Sequence, residues 1–233
     1  TLSAHNLKES IESSDRTPAS TTRDEYRHPY ETLNFFGIKP DMTVVELNPG
    51  GGWYTEILAN YIHYPGTLIA AQGSYYLEGF EKKMNSNPMY GRVEIVNLNS
   101  TLAKPNSVDA VLTFRNLHNW LGPEMDSIFK NAFMALKPGG SFGVVEHRAK
   151  FGTDLETMKS SGYVTEDYAI EVAIEHGFEL VAKSEINANP KNTKDHPKGV
   201  LTLPPRLRLN DVDKDKYESI GESDRMTLLF RKP

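Results

Sequence analysis

The chain reads as an α/β protein, a mostly parallel sheet with helices on both faces, and three features predict this. Val44-Val45-Glu46-Leu47 is a short β-prone run carrying a carboxylate near its end. It turns through Asn48-Pro49-Gly50-Gly51-Gly52 and re-emerges with Tyr54, Ile57, Leu58 and Tyr61 at helical spacing. Further short apolar runs at 67–71, 93–96, 108–114 and 142–145 alternate with helix-like segments, as in parallel strands joined by crossover helices. Two more runs, 178–186 and 226–230, finish the chain across a long polar connection.

Composition bounds the function. At 233 residues the chain can bury one sizeable core, and 38% apolar with 24% charged residues fits a soluble globular protein. No apolar run approaches the ~18 residues that span a bilayer. A net charge of −5 offers nucleic acid no cationic face, and Arg206-Leu207-Arg208 reads as a solvated loop. The absence of cysteine excludes disulfides, zinc–thiolate sites and cysteine nucleophiles. The sequence opens at Thr1, as it would after removal of a targeting segment, so secretion stays open.

Taken in order, residues 1–23 are rich in Ser, Thr and charge without a sustained apolar period. They predict a flexible arm, or one short helix on the body, ahead of a single domain over 24–233. Pro29 suits a first helical turn, Tyr30, Leu33 and Phe36 share a face, and Gly37 supplies a stop. Gly50 to Gly52 let the backbone approach a ligand where no Cβ fits, and the following helix offers free N–H groups. Pro65-Gly66 turns into the strand over 67–71. A helix over about 75–84 breaks at Asn85-Ser86-Asn87-Pro88. Met125, Ile128, Phe129, Ala132, Phe133 and Leu136 trace an amphipathic helix, ended by Lys137-Pro138-Gly139-Gly140. Thr165 is an N-cap with Glu166 and Asp167 in the first turn, and Gly177 is a stop. The connection 187–224 is long enough to suggest a lid-like insertion.

In a dinucleotide fingerprint the third glycine would stand at Thr55, so that reading fails. Counted from the strand, the pattern is acid-x-N-x-G-x-G, with Glu46, Asn48, Gly50 and Gly52. It resembles the first motif of class I S-adenosyl-L-methionine (SAM) dependent methyltransferases. Asn48 replaces the usual glycine, a place Asn tolerates better than most residues. Asp109, Leu117 and His118 match the fourth motif, D-x-V-x-S followed by L-H-H. A helix leading through Leu136-Lys137-Pro138-Gly139-Gly140 into a strand is a further mark of the family. The blocks at 114–120, F-R-N-L-H-N-W, and 221–228, G-E-S-D-R-M-T-L, are similar to a subgroup of predicted bacterial methyltransferases.

The resemblance covers residues 24–233. It implies a Rossmann-like class I methyltransferase sandwich: seven strands, mostly parallel, an antiparallel C-terminal strand, and helices on both faces. It implies SAM as cofactor, with Glu46, Asn48, Gly50 and Gly52 against its methionine and ribose. Gln72 stands where the family's acid binds the ribose hydroxyls, an amide making the weaker bond. Asn97 stands near the place that meets the adenine amino group. SAM supply favours the cytoplasm, and the periplasm stays open if a signal segment preceded Thr1.

Arg115, Asn116, His118, Asn119 and Trp120 crowd the end of the strand over 108–114. Ligands of open α/β sheets bind beyond the carboxyl ends of the strands, and such a cluster is costly to hide in a core. Glu146-His147-Arg148 ends the neighbouring strand, which brings His147 toward His118. The expectation is methyl transfer to an O, N or S atom of a small molecule. His118 or His147 acts as general base, Arg115 and Asn116 position an acceptor bearing carboxylate or other polar groups, and Trp120 walls the cleft. The N/D-P-P-Y/F motif of base and amide methylation is missing, which with the acidic charge argues against a nucleic-acid substrate. No metal is expected, although Glu146, His118 and His147 could together form a metal site. A non-catalytic SAM- or nucleoside-binding protein is the alternative, suggested by Asn48 and Gln72.

Overall fold

The computed structural model describes residues 5–233. Four short helices come first: α1 (Leu7–Ile11), α2 (Pro18–Thr21), α3 (Asp24–Arg27) and α4 (Pro29–Phe35). Then follow β1 (Thr43–Leu47), α5 (Trp53–Tyr61), β2 (Thr67–Gln72), α6 (Ser74–Met84), β3 (Glu94–Asn97) and β4 (Val108–Phe114). The second half runs α7 (Pro123–Ala135), β5 (Leu136–His147), α8 (Leu155–Ser161), α9 (Glu166–Glu175), β6 (Glu179–Ser184), α10 (Lys214–Ile220) and β7 (Arg225–Arg231).

The seven strands form one sheet in the order β3-β2-β1-β4-β5-β7-β6. The pairs β1–β2, β1–β4, β2–β3 and β4–β5 are parallel, while β7 runs antiparallel to both β5 and β6. Strand order reverses between β1 and β4, the position at which open α/β sheets form a crevice. Because β7 is reversed, its first residues lie beside the last residues of β5, with Arg225 opposite His147.

Successive strand residues face opposite sides, and the core follows that alternation. Val45, Leu47 and Val111 join Met125, Ile128, Phe129 and Ala132 of α7 on one face. Val44, Ala110 and Leu112 join Ile57 and Leu58 of α5, with Leu33 of α4, on the other. Trp120, expected to wall the cleft, belongs to the first cluster and is 3% exposed. Its indole is core packing, so the cleft-wall assignment is corrected.

Two family landmarks have a structural explanation at the amino end of the parallel strands. Asp109 accepts from the Thr43 N–H (2.8 Å) and from Lys137 Nζ (2.9 Å). Thus D-x-V and K-P-G-G are joined across β1, β4 and β5, away from the crevice. β5 begins earlier than the sequence suggests, because Leu136 pairs with Val108 before a register shift.

From residue 5 the N-terminal segment is folded onto the body as α1 and α2, while residues 1–4 lie outside the described residues. Leu7 enters the core beside α5. Arg16 grips Asp24 through two bonds (2.7 and 2.9 Å). Buried Glu56 accepts from Thr17 N–H (2.8 Å), Ser20 Oγ (3.0 Å) and Lys83 Nζ (2.6 Å). The insertion 187–224 is anchored by buried Leu203 and Tyr217. Its Asn187 side chain donates to Thr32 Oγ1 (3.1 Å) and Thr227 Oγ1 (2.8 Å). Among the described residues, no helix is long and apolar enough to cross a membrane.

Candidate active site

The glycine turn after β1 is backbone that needs its residue types. Asn48, Gly50 and Gly52 have φ of 47°, 62° and 86°, the left-handed region that Asn and Gly tolerate. A Cβ added at Gly50 or Gly51 would meet nothing within 4 Å, so open space borders the turn. Asn48 is more than a tolerated substitute for glycine. Its Oδ1 accepts from Gly73 N–H (3.2 Å) after β2, and its Nδ2 donates to Asn116 Oδ1 (3.2 Å) after β4. One side chain therefore joins three strand ends.

Several candidate ligand contacts turn inward. Asn116 Nδ2 donates to Leu47 O (3.1 Å), Asn48 O (3.3 Å) and Thr113 Oγ1 (3.1 Å). Its amide is fully engaged on the turn, which corrects the expectation that it contacts an acceptor. Gln72 is 1% exposed; its Nε2 donates to Gly50 O (2.9 Å) and its Oε1 accepts from Gly50 N–H (3.2 Å). It braces the glycine turn instead of reaching into the open space. Asn97, paired with Gln72 in the register, is exposed, and its Oδ1 accepts from Asn99 N–H (2.7 Å).

Glu46 is buried and accepts from Thr55 Oγ1 (2.6 Å). Threonine at the failed third-glycine position thus supplies this carboxyl's hydrogen bond. Burial raises the Glu46 pKa to about 7, against the opposing pull of that bond and of the Arg115 and Lys83 charges.

At the ends of β4 and β5, Glu146 is the organising group. It is fully buried, and its oxygens accept from the backbone N–H of His118 (2.7 Å) and of His147 (2.8 Å). His118 Nδ1 lies 3.0 and 3.1 Å from the two oxygens, leaving Nε2 as the ring's other nitrogen. The two imidazole centroids are 5.2 Å apart, and His147 Nδ1 bonds Ser223 Oγ at 2.5 Å. Burial lowers the basicity of His118, but the charge and hydrogen bond of Glu146 outweigh it, so its pKa lies above the ordinary imidazole value. His147 goes the other way. Burial, then the charges of His118, Arg225, Arg115 and Arg27, hold it well below that value and neutral at pH 7. Ligand atoms of His118, Glu146 and His147 lie within 4.8 Å of one another.

Arg115 follows β4 with φ 62° and is pinned by its N–H to Val145 O (2.7 Å). Near it, Glu222 accepts from Arg23 Nε (2.6 Å), Arg27 Nε (2.9 Å) and Arg225 Nη2 (2.6 Å). Arg27, Glu222, Ser223 and Arg225, which the motif reading missed, stand beside the histidine pair and Arg115. A signal existed: the charged run Glu222-Ser223-Asp224-Arg225 precedes a strand that antiparallel pairing carries to the crevice. Two cavities, of about 570 and 400 Å³, lie along the insertion; the first is lined by Arg148 and Asn192, the second by His28, Glu222 and Ser223, the last of these bonded to His147.

The strand order, with its glycine turn at the switch point, is that of a Rossmann-like methyltransferase fold. Residues 45–144 match a protein-family model described as a methyltransferase domain. Comparison with curated protein sequences finds no match. Among solved structures, the chain is similar to a SAM dependent methyltransferase from Aquifex aeolicus, with a TM-score of 0.64 at 15% identity over 98% of this chain and 100% of that one. It is similar to geranyl diphosphate C-methyltransferase from Streptomyces coelicolor A3(2), in complex with Mg2+, geranyl-S-thiolodiphosphate and S-adenosyl-L-homocysteine (0.64, 11%, 96% and 84%). It is also similar to the [4+2]-cyclase SpnF (0.67, 15%, 97% and 91%). At these identities the structural likenesses concern fold. The methyltransferase-domain match spans residues 45–144, and the solved structures extend the same fold over the rest of the chain.

Proposed function

We propose that the protein methylates a small-molecule acceptor at an O, N or S atom, with His118 as the general base. The observation that carries this reading is the Glu146–His118 pair. Glu146 is fixed by two backbone N–H groups, and it fixes the imidazole in turn. A base oriented by a second group has the geometry that proton abstraction needs. SAM, when bound, supplies an activated methyl and a good leaving group, so the protein's task is orientation, water exclusion and proton removal. Glu46, Asn48, Gly50 and Gly52 would hold the cofactor's methionine and ribose side, which the open space at Gly50 and Gly51 supports. Gln72 would act through Gly50, and Asn97 would stand toward the adenine. His147, kept neutral, would serve as a second acceptor-side imidazole. The insertion 187–224 would close that side, its last residues supplying Glu222 and Ser223.

The test is a panel of hydroxyl, thiol and amine acceptors with SAM, read by mass spectrometry for a product heavier by one methylene. A methylated small molecule that forms in the presence of chelator supports His118 as base. Loss of product with chelator, restored by a divalent transition cation, would assign His118, His147 and Glu146 to a metal instead. Methyl transfer to RNA alone would overturn the small-molecule reading.

A further inference from the structure

We propose that Arg27, Arg115 and Arg225 form a receptor for a carboxylate or phosphate group on the acceptor, with Glu222 as the brace that gathers them. The proposal rests on the methyltransferase reading only in calling the ligand an acceptor.

Arg23, Arg27, Arg115 and Arg225 surround one carboxylate, Glu222. The neighbouring acids are engaged elsewhere: Asp24 with Arg16, Asp224 with Arg148 and Lys194, and Glu146 with His118. Arg27 and Arg225 are 7% and 3% exposed. Buried charge without a partner is costly, so a site carrying surplus positive charge suits an anion.

Among the described residues the Arg27 guanidinium donates only through Nε and that of Arg225 only through Nη2, while Arg225 Nε is buried with no partner there. Arg115 makes no side-chain hydrogen bond among the described residues and holds a backbone conformation uncommon outside glycine. Strained residues of this kind cluster at ligand sites. Guanidinium forks match carboxylate and phosphate oxygens in pairs. Burial, with the charges of the neighbouring arginines, holds both Arg27 and Arg115 below the ordinary arginine value despite Glu222, and an arriving anion relieves that.

The glycine turn and Gln72 follow β1 and β2, whereas Arg115 follows β4 and Arg225 opens β7 opposite His147. The arginines therefore stand on the half of the sheet that carries the histidine pair, beyond the half that carries the turn.

One other source of a carboxylate is the cofactor's own methionine group, and the test separates the two. The full-length chain, saturated with S-adenosylhomocysteine, is titrated calorimetrically with malonate and with inorganic phosphate. The wild type is expected to bind one of them. Arg115→Gln is expected to weaken that binding by about tenfold or more, a loss of one charge-assisted contact, with Arg115→Lys recovering part of it. The Kd for S-adenosylhomocysteine should stay within about twofold. Failure of the wild type to bind either anion overturns the proposal, as does an unchanged anion affinity in R115Q. Equal weakening of S-adenosylhomocysteine gives the arginines to the cofactor and overturns it too. If the wild type binds malonate but no S-adenosylhomocysteine, the anion receptor stands while the cofactor assignment of the turn fails.

Discussion

His118→Ala is expected to lower kcat by about 10²- to 10⁴-fold while the affinity for S-adenosylhomocysteine changes little. The variant removes the ring that Glu146 orients and leaves the glycine turn, held by Asn48, Gln72 and Asn116, intact. The pH dependence gives a sharper signature. Protonated His118 cannot accept a proton, and its pKa is raised above the ordinary imidazole value. The rate should therefore climb as pH rises through that pKa and then level. Glu146→Gln removes the charge that raises the pKa and leaves burial, which lowers it. The rising limb should shift to lower pH, with a lower plateau from a weaker and less well-oriented base. Superimposable pH–rate profiles for the wild type and E146Q would exclude Glu146 as the positioning residue.

Glu222→Ala should have the largest effect on stability. It leaves Arg23, Arg27 and Arg225 without the carboxylate they share, and breaking a buried ion pair costs about 3–5 kcal/mol. At roughly 2–4 °C per kcal/mol for a chain of this size, Tm should fall by on the order of 10 °C. Burial pushes the Glu222 carboxyl up, but Arg225, Arg27 and Arg115 outweigh it and hold it far below the usual carboxylate value. A carboxyl with a depressed folded pKa contributes stability that is present above about pH 4.5, its unfolded range. That contribution disappears as pH falls toward the folded pKa. Glu222→Gln keeps hydrogen-bonding ability but loses the charge, so its Tm should fall less steeply between pH 5 and 3 than the wild type's. Parallel Tm curves for the two proteins would sink this account.

The strands and the glycine turn are legible in the sequence because their signals are local. Val44 and Val45 alternate across the sheet, and Asn48 and Gly50 mark positive φ within a few residues of the strand they follow. His118 and His147 are legible as neighbours because parallel strand order places the ends of β4 and β5 side by side. Polar residues near the crevice are where reading by type goes astray. Asn116 and Gln72 face the backbone, since the turn's own N–H and C=O groups need partners as much as a ligand does. Trp120 shows the same limit for an aromatic, its place being set by α7. The arginine–Glu222 group depends on contacts 195 and 199 residues apart in sequence, beyond the reach of any periodicity.

Glu46, at the proposed cofactor turn, is expected to give cofactor uptake a proton stoichiometry. With its pKa at about 7 in a buried site, the free protein near neutrality is a mixture of protonated and ionised forms. The ammonium and sulfonium charges of SAM favour the ionised form, so uptake near or below pH 7 should release a fraction of a proton to buffer. That fraction approaches one at acidic pH and vanishes at alkaline pH. Cofactor affinity should tighten by up to about tenfold per pH unit on the acid side and flatten above pH 7. Calorimetry in buffers of different ionisation enthalpy reads the released proton directly. Glu46→Gln should give binding heats that no longer depend on the buffer. A wild type whose heats are likewise buffer-independent at pH 6 would show that the carboxyl takes no part in binding. The turn proposed to hold the cofactor would then also make its occupancy a readout of local acidity.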